Sequence, residues 1–442
     1  MRVVIIVPDC GEGGLFQFYN QVLPALSALA DLHVIFASPT HSPLEPAIPG
    51  ATCHHLKPEN AAPLLARLLS GPLGIAPHLA RALAVAHQAW ARALTLMPDC
   101  VEVCDWPLAA VPAVLDGSVP SIVQCHGSMA QIAQHDLTVG GEVEAMLLRL
   151  IEPQVLGLAQ VVQTYSAANA SFWEGATGRG VEVIRPAYGL TGSTEAATHH
   201  DGVIRVFGRL QAWKGPHILA GALHRLGKEA PICEWFGGVK PWPCSGLPTN
   251  EQLARDYPEV WNRSLSLHAP VARPEVARLM SLSRAIVVPS TWDVFNFTAV
   301  EAMALARPVI VSQGAGASEL IEDGRNGFTF AADDPAALAD AVIRLQALPH
   351  AALSVIGQSA RETVRRELDP ARIAARRFES YQAAIKNHRQ SKPMAASDWL
   401  SGLLSPQASD SFEMRDFLGT LPARSLLRAV GDRLYQKIFG KS

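Results

Sequence analysis

PSTWDVFNFTAVEAMALARPVIVSQGAGASE, residues 289–319, is the stretch from which the fold is read. An apolar strand, Ala285–Pro289, runs into a loop that carries a carboxylate, Asp293. A helix beginning near Phe297 brings a second carboxylate, Glu301, and another apolar strand, Pro308–Ser312, precedes a glycine-rich turn. Strand, loop, helix and strand in this order set two acids and a helix N-terminus around one point at the carboxyl edge of a parallel sheet. Open α/β sheets bind their ligands at that edge. The first N–H groups of the helix, near Phe297 and Thr298, favour an anion such as a phosphate. Ionised carboxylates only accept hydrogen bonds, which suits sugar hydroxyls. A phosphate and several hydroxyls held together describe a nucleotide sugar.

Outward from this stretch, apolar strands alternate with helical stretches along the chain, the pattern of parallel α/β sheets. The first half places strands at Val3–Val7, His33–Ser38, Val101–Cys104, Ser121–Cys125 and Val161–Tyr165. The second half repeats the pattern at Ile204–Phe207, Ile232–Phe236, Leu265–His268, Ala285–Pro289 and Pro308–Ser312. The small, polar, glycine-bearing run Ala187–Gly202 reads as a linker. The boundaries that follow are a first domain over 1–187 and a second over 203–369.

A second segment, VIRVFGRLQAWKGPHILAGAL (Val203–Leu223), reads as a strand, a Gly-Arg turn through Gly208 and Arg209, a Lys-Gly pair at Lys214 and a helix. Together the two segments resemble the donor site of retaining glycosyltransferases of the GT-B fold, in the family-4 group. That signature has a Glu, seven residues, then Glu-Ala-Met-Ala. Here it reads Asp293, seven residues, and Glu301-Ala302-Met303-Ala304. Two positions depart from it: Asp293 is a methylene shorter than the usual Glu, and Asn296 stands where a glycine is usual. The resemblance implies two Rossmann-like domains with parallel sheets facing across a cleft, and a late helix over 370–388 that crosses back to the first domain. It assigns Arg209 and Lys214 to the donor diphosphate, Glu301 to the ribose hydroxyls and Asp293 to the sugar hydroxyls. Fixed cations aimed at a departing diphosphate act most strongly in the transition state. The plain alternative for an isolated Arg and Lys is a pair of solvated surface charges.

In the first domain the loop Cys10–Gly14 follows strand one, but Phe16 breaks the dinucleotide fingerprint. By resemblance Gly13 and Gly14 lie beside the donor diphosphate; a tight turn without a ligand is the alternative. His126 ends the strand Ser121–Cys125 and matches a family histidine near the donor sugar, against the alternative of a structural hydrogen bonder. Glu102 and Asp105 stand at the neighbouring strand end, in reach of an acceptor or of solvent. Gly237-Gly238 and the loop His268–Arg273 follow strands where a nucleobase sits in this fold, or simply shape their loops. Glu319 matches only loosely and reads as structural.

Composition bounds the rest. The chain has 442 residues, enough for two full cores, with 17% charged and 49% hydrophobic residues, as a globular protein requires. A net charge of −3 gives no case for nucleic acid. The apolar run Val3–Val7 is too short for a signal peptide, and no stretch reaches the ~20 apolar residues of a membrane span. Seven scattered cysteines without zinc spacing fit a reducing cytoplasm. No Asp-x-Asp metal motif or Walker loop is present, so the expectation is a metal-independent enzyme without a cofactor, the nucleotide sugar being substrate.

The reading is therefore a retaining glycosyltransferase with a glycan, lipid-linked, protein or small-molecule acceptor. Two rivals stand beside it: a catalytically silent subunit of the same fold that stabilises an active partner, and a sugar-nucleotide epimerase or phosphorylase. The region 390–442 reads as a linker followed by a basic amphipathic tail, with Leu427, Val430, Leu434, Ile438 and Phe439 on one face among Arg424, Arg428, Arg433, Lys437 and Lys441. Such a helix serves peripheral contact with the inner membrane face or self-association, and both remain open.

Overall fold

In a computed structural model, the chain forms two parallel sheets joined across a cleft. The structure describes residues 1–8, 14–38, 47–135, 142–190, 200–243, 245–390 and 398–404, together with 427 and 431. Gly13, most of the Ala187–Gly202 linker and nearly all of the basic tail lie outside the described residues.

The first sheet contains β1 (Arg2–Val7), β2 (Asp31–Phe36), β3 (Thr52–His55), β4 (Cys100–Cys104), β5 (Ser121–Gln124), β6 (Val161–Thr164) and β7 (Glu182–Val183). Their order across the sheet is β3-β2-β1-β4-β5-β6-β7, and every pairing is parallel. The second sheet contains β8 (Ile204–Phe207), β9 (Cys233–Phe236), β10 (Leu265–His268), β11 (Ala285–Val288), β12 (Val309–Ser312) and β13 (Phe328–Phe330), in the order β10-β9-β8-β11-β12-β13 and again all parallel. Strands covered on both faces need apolar residues at every position rather than at alternate ones. Val3–Val7, Ala285–Val288 and Val309–Ser312 are buried throughout for that reason.

All ten strands read from the sequence are present. Three more escaped it. The edge strand β3 is the polar, half-buried run Thr-Cys-His-His, β7 has two residues, and β13 has three. None is long or apolar enough to carry a strand pattern.

In both sheets the strand order reverses beside the first strand, between β1 and β4 and between β8 and β11. Loops leaving such a pair of strands splay to opposite sides and open a crevice. The cleft lies where the two crevices meet.

The helix Pro370–Gln390 packs on the first-domain helix Gly14–Leu26. Arg377, with no exposed side-chain surface, ion-pairs there with Glu102, donates to Gln124 Oε1 at 3.0 Å and lies over the Phe18 ring. Tyr381 donates to the same Glu102 carboxylate. Glu102 is wholly buried under this helix, which corrects its reading as a residue facing acceptor or solvent. A second departure concerns the stretch read as linker. Asp398–Leu404 is a helix whose Leu400, Leu403 and Leu404 are buried against the first-domain core. His87 also meets the Leu404 carbonyl at 3.0 Å. The serines and prolines around it masked a short apolar motif. No helix among the described residues is long and apolar enough to cross a membrane.

Candidate active site

A cavity of about 410 Å³ lies between the domains. Gly14, Leu15, Gln17, His126 and Tyr165 form its first-domain wall; Lys214, Arg273, Val294, Phe295 and the candidate residues Asp293, Asn296, Phe297, Thr298 and Glu301 form the other.

The second-domain wall is built by two loops. After β8 the chain turns through Gly208 and reaches Lys214 in a short 3-10 turn, Ala212–Lys214. Gly215 follows at φ 74°, and a Cβ there would sit 1.8 Å from the Pro289 carbonyl oxygen, so only glycine lets the Lys214 loop lie against the end of β11. The second loop, after β11, is clasped from behind: Asp293 N–H donates to the Gly314 carbonyl (2.9 Å) and Gly316 N–H to the Asp293 carbonyl (3.0 Å). The glycine-rich turn seen in the sequence thus fixes the backbone of Asp293.

Lys214 Nζ donates to Asp293 Oδ2 at 2.6 Å, with side-chain exposures of 20% and 16%, and lies 4.2 Å from the centre of the Trp213 ring. Asn296 Nδ2 reaches the same Oδ2 at 2.9 Å. Asn296 also caps the helix Phe297–Ala304, its Oδ1 accepting from Ala299 N–H at 3.2 Å. The N–H groups of Phe297 and Thr298 then have no backbone or side-chain acceptor among the described residues. The Thr298 hydroxyl donates to the Phe207 carbonyl at 3.4 Å. Glu301 Oε1 accepts from Arg273 at 2.9 Å. Burial raises the Glu301 carboxyl above its ordinary range, against the pull of Arg273.

The first-domain wall is more closed. Both ring nitrogens of His126 meet phenols: Nε2 lies 3.2 Å from Tyr19 Oη, and Nδ1 contacts Tyr165 Oη. Burial, then the Arg377 charge, push this imidazole well below its ordinary pKa, so it is neutral, donating to one phenol and accepting from the other. Asp105 accepts the N–H groups of His126 (3.0 Å) and Gly127 (3.3 Å), and burial raises it to about 6. Glu152 accepts from Ala130 N–H at 2.9 Å, and burial raises it to about 8. These two acids hold the loop 126–130 and do not reach the cavity.

Lys214, Asp293, Phe297, Thr298, Glu301, His126 and Gly14 therefore share one cavity. Gly208, Arg209, Gly237 and His268 do not line it. Arg209 is exposed and bonds to no described residue. A Cβ on Gly237 would fall 1.9 Å from the Gly208 carbonyl oxygen, so close approach of two loops explains that glycine. His268 stacks on Phe236 at 4.7 Å, and Phe236 on Phe207 at 5.3 Å, a ladder of rings along the carboxyl edge of three strands. Glu319 accepts from Ala168 N–H of the first domain at 3.1 Å, a structural cap. Tyr165 was missed as a site residue, and Arg273, read only as the end of a loop near the base, lies on the cavity wall against Glu301. Arg273 starts the helix Arg273–Leu282, and only the acid it pairs with, far along the chain, marks it. Among the described residues no group of three or more His, Cys, Asp or Glu is placed to hold a metal ion.

Residues 201–347 match the model of the family described as glycosyl transferases group 1. The match spans most of the second domain. Among curated proteins, the chain is 28% identical over 247 residues to D-inositol 3-phosphate glycosyltransferase of Corynebacterium kroppenstedtii, covering 51% of this chain and 53% of that protein. It is 25% identical over 418 residues to the protein of that name from Streptomyces bingchenggensis, 87% and 88% of the two chains. The chain spans little more than half the length of several of these relatives. Among solved structures, sucrose-phosphate synthase of Thermosynechococcus elongatus superposes with a TM-score of 0.66 at 19% identity, over 87% of this chain and 99% of that one. HepE of Anabaena in complex with UDP-glucose does so with 0.60 at 18%, over 87% and 100%. The second domain and its partner domain have the GT-B fold.

Proposed function

We propose that the chain is a retaining, metal-independent glycosyltransferase that moves a sugar from a nucleoside diphosphate to a hydroxyl-bearing acceptor received by the first-domain wall. The observation that carries this reading is one cavity holding a lysine, two carboxylates and the N-terminus of the Phe297–Ala304 helix. The family match of the second domain and the HepE complex with UDP-glucose lend support.

In this reading Thr298 and Phe297 N–H groups and Lys214 receive the diphosphate, and the exposed Arg209 supplies a second cation. Glu301 keeps Oε1 on Arg273 and offers Oε2 to the ribose hydroxyls. Asp293 offers Oδ1 to the sugar. No protein nucleophile is assigned. The acceptor oxygen attacks the anomeric carbon from the face that the diphosphate leaves, its proton passes to a donor phosphate oxygen, and the anomeric configuration is kept. The protein contributes position and charge: Lys214, Arg209 and the helix N-terminus stabilise the leaving diphosphate in place of a metal. The silent-subunit alternative draws no support from a cleft that keeps these groups together, and nothing favours an epimerase or phosphorylase.

The test is incubation with a panel of nucleotide sugars and candidate acceptors, in chelator, following nucleoside diphosphate release and the anomeric configuration of the product by NMR. Release in chelator with retained configuration is expected. An inverted product refutes retention, and activity that returns only on adding manganese or magnesium refutes metal independence.

A further inference from the structure

Asn296 holds its backbone at φ 91° and ψ 97°, a left-handed value that few side-chain-bearing residues adopt and that asparagine tolerates better than most. Its carboxamide is engaged at both ends. Oδ1 caps the Phe297–Ala304 helix through Ala299 N–H, and Nδ2 donates to Asp293 Oδ2 at 2.9 Å. That oxygen also receives Lys214 Nζ at 2.6 Å. Asp293 Oδ1 has no partner among the described residues. Asn296 and Asp293 both line the cavity.

We propose that Asn296 is a positioning residue that keeps the Asp293 carboxylate aimed at the transferred sugar when Lys214 is drawn to the donor diphosphate. This inference rests on the nucleotide-sugar reading above. A diphosphate carries more negative charge than one carboxylate, so it competes with Asp293 for the lysine. Once Lys214 turns, Asn296 Nδ2 is the donor left on Oδ2. The amide cannot follow a rotating carboxylate, because the helix cap fixes its other end and hence its plane. The short Asp side chain has few rotamers, so one fixed hydrogen bond suffices to orient it. Oδ1 is thereby presented as an acceptor at one place, and a donor sugar is selected for a hydroxyl there. A glycine at this position would supply the backbone conformation and neither bond. The strained asparagine is thus a device for sugar selection, set on the helix that meets the diphosphate.

Two variants separate this role from capping alone. Asn296→Gly relieves the backbone and removes both bonds; Asn296→Asp keeps a cap, since Asp caps as well as Asn, and replaces the donor N–H with an acceptor. The measurements are kcat and KM with the preferred donor, kcat/KM for that donor against its deoxy analogues, melting temperature, and affinity of the Asn296→Gly protein for the bare nucleoside diphosphate. Losing a hydrogen bond to a charged group predicts a fall in kcat of about tenfold or more in both variants. Discrimination against one deoxy analogue should shrink, while the Asn296→Gly protein keeps its nucleoside diphosphate affinity within about threefold, a change worth under 1 kcal/mol. Unchanged kcat and unchanged donor ranking in Asn296→Gly overturn the proposal. So does a fall in activity that tracks lost melting temperature or lost nucleotide affinity with the ranking intact. Failure of the wild-type protein to release nucleoside diphosphate from any donor overturns the underlying reading, and shows in the parent before any variant is made.

Discussion

Two ion pairs invite comparison. Arg377 of the helix Pro370–Gln390 and Glu102 of the first domain expose no side-chain surface; Lys214 and Asp293, in the second domain, are 20% and 16% exposed on the wall of a cavity. The first is enclosed by Tyr381, Gln124 and the face of Phe18, so neither charge has anywhere else to go. The second has a neighbouring cavity in which another anion can be held, and Asn296 shares its acceptor oxygen. The same chemistry is a rivet in one place and, in the function proposed above, an exchangeable contact in the other, and access to the cavity makes the difference.

Breaking the rivet should produce the largest effect. Arg377→Ala leaves the Glu102 carboxyl buried under the helix Pro370–Gln390 without its cation, and removal of one partner of such a pair costs about 3–5 kcal/mol. Denaturant unfolding measures it, and a loss below about 1 kcal/mol would show that the helix is held by its apolar contacts instead. Breaking the exchangeable pair should act on rate rather than stability. Lys214→Ala is expected to lower turnover about 10²–10³-fold, as removal of one charge-stabilising donor does, while melting changes little. Near wild-type turnover would remove Lys214 from the diphosphate.

The buried acids behind the first-domain wall give a smaller, pH-dependent effect. Glu152 titrates near 8 in the folded chain and near the ordinary carboxyl value when unfolded, so the folded state binds its proton more tightly. Stability from this group is full below the unfolded pKa and is lost as pH rises towards about 8. Between pH 6.5 and 7.5 the loss approaches ~1.4 kcal/mol, and Glu152→Gln should flatten that slope in denaturant titrations at the two pH values. A slope unaltered by the substitution would assign it elsewhere. The smallest effect is expected at the seam between the domains. Ser166 Oγ caps the helix Ala167–Thr177 through Asn169 N–H and donates to the Val294 carbonyl across the cleft at 3.0 Å. Ser166→Ala should destabilise by about 1 kcal/mol, and a shift in donor KM beside it would show that the seam also sets the Asp293 loop.

The comparison also explains what could be read from the chain. Parallel strands buried on both faces announce themselves as apolar runs, and the spacing from Asp293 to Glu301 is local, so most of the second-domain wall was legible. The edge strands β3, β7 and β13 were not, because two or three residues, or a polar run such as Thr52–His55, carry no pattern. Partnerships between distant residues were hidden too. Nothing near Glu102 signals Arg377, nor does Glu301 signal Arg273, because each pair is made only by the folded chain. His126 was found by position, but its two tyrosines come from separate elements. Gly208, Gly237 and His268 stand at strand ends as expected, yet off the cavity wall, since strand-end position alone does not say which way a loop runs.

In the proposed function the Lys214–Asp293 wall exchanges its internal pairing for a nucleoside diphosphate. The most direct measurement is the unfolding stability of the intact chain, in chelator, with UDP, GDP, ADP or TDP present, beside the Lys214→Ala protein. At a concentration of about 100 times its dissociation constant, one of these ligands should stabilise the wild-type chain by about 2.7 kcal/mol, and the variant far less. No stabilisation by any of the four, or equal stabilisation of both proteins, would contradict the account.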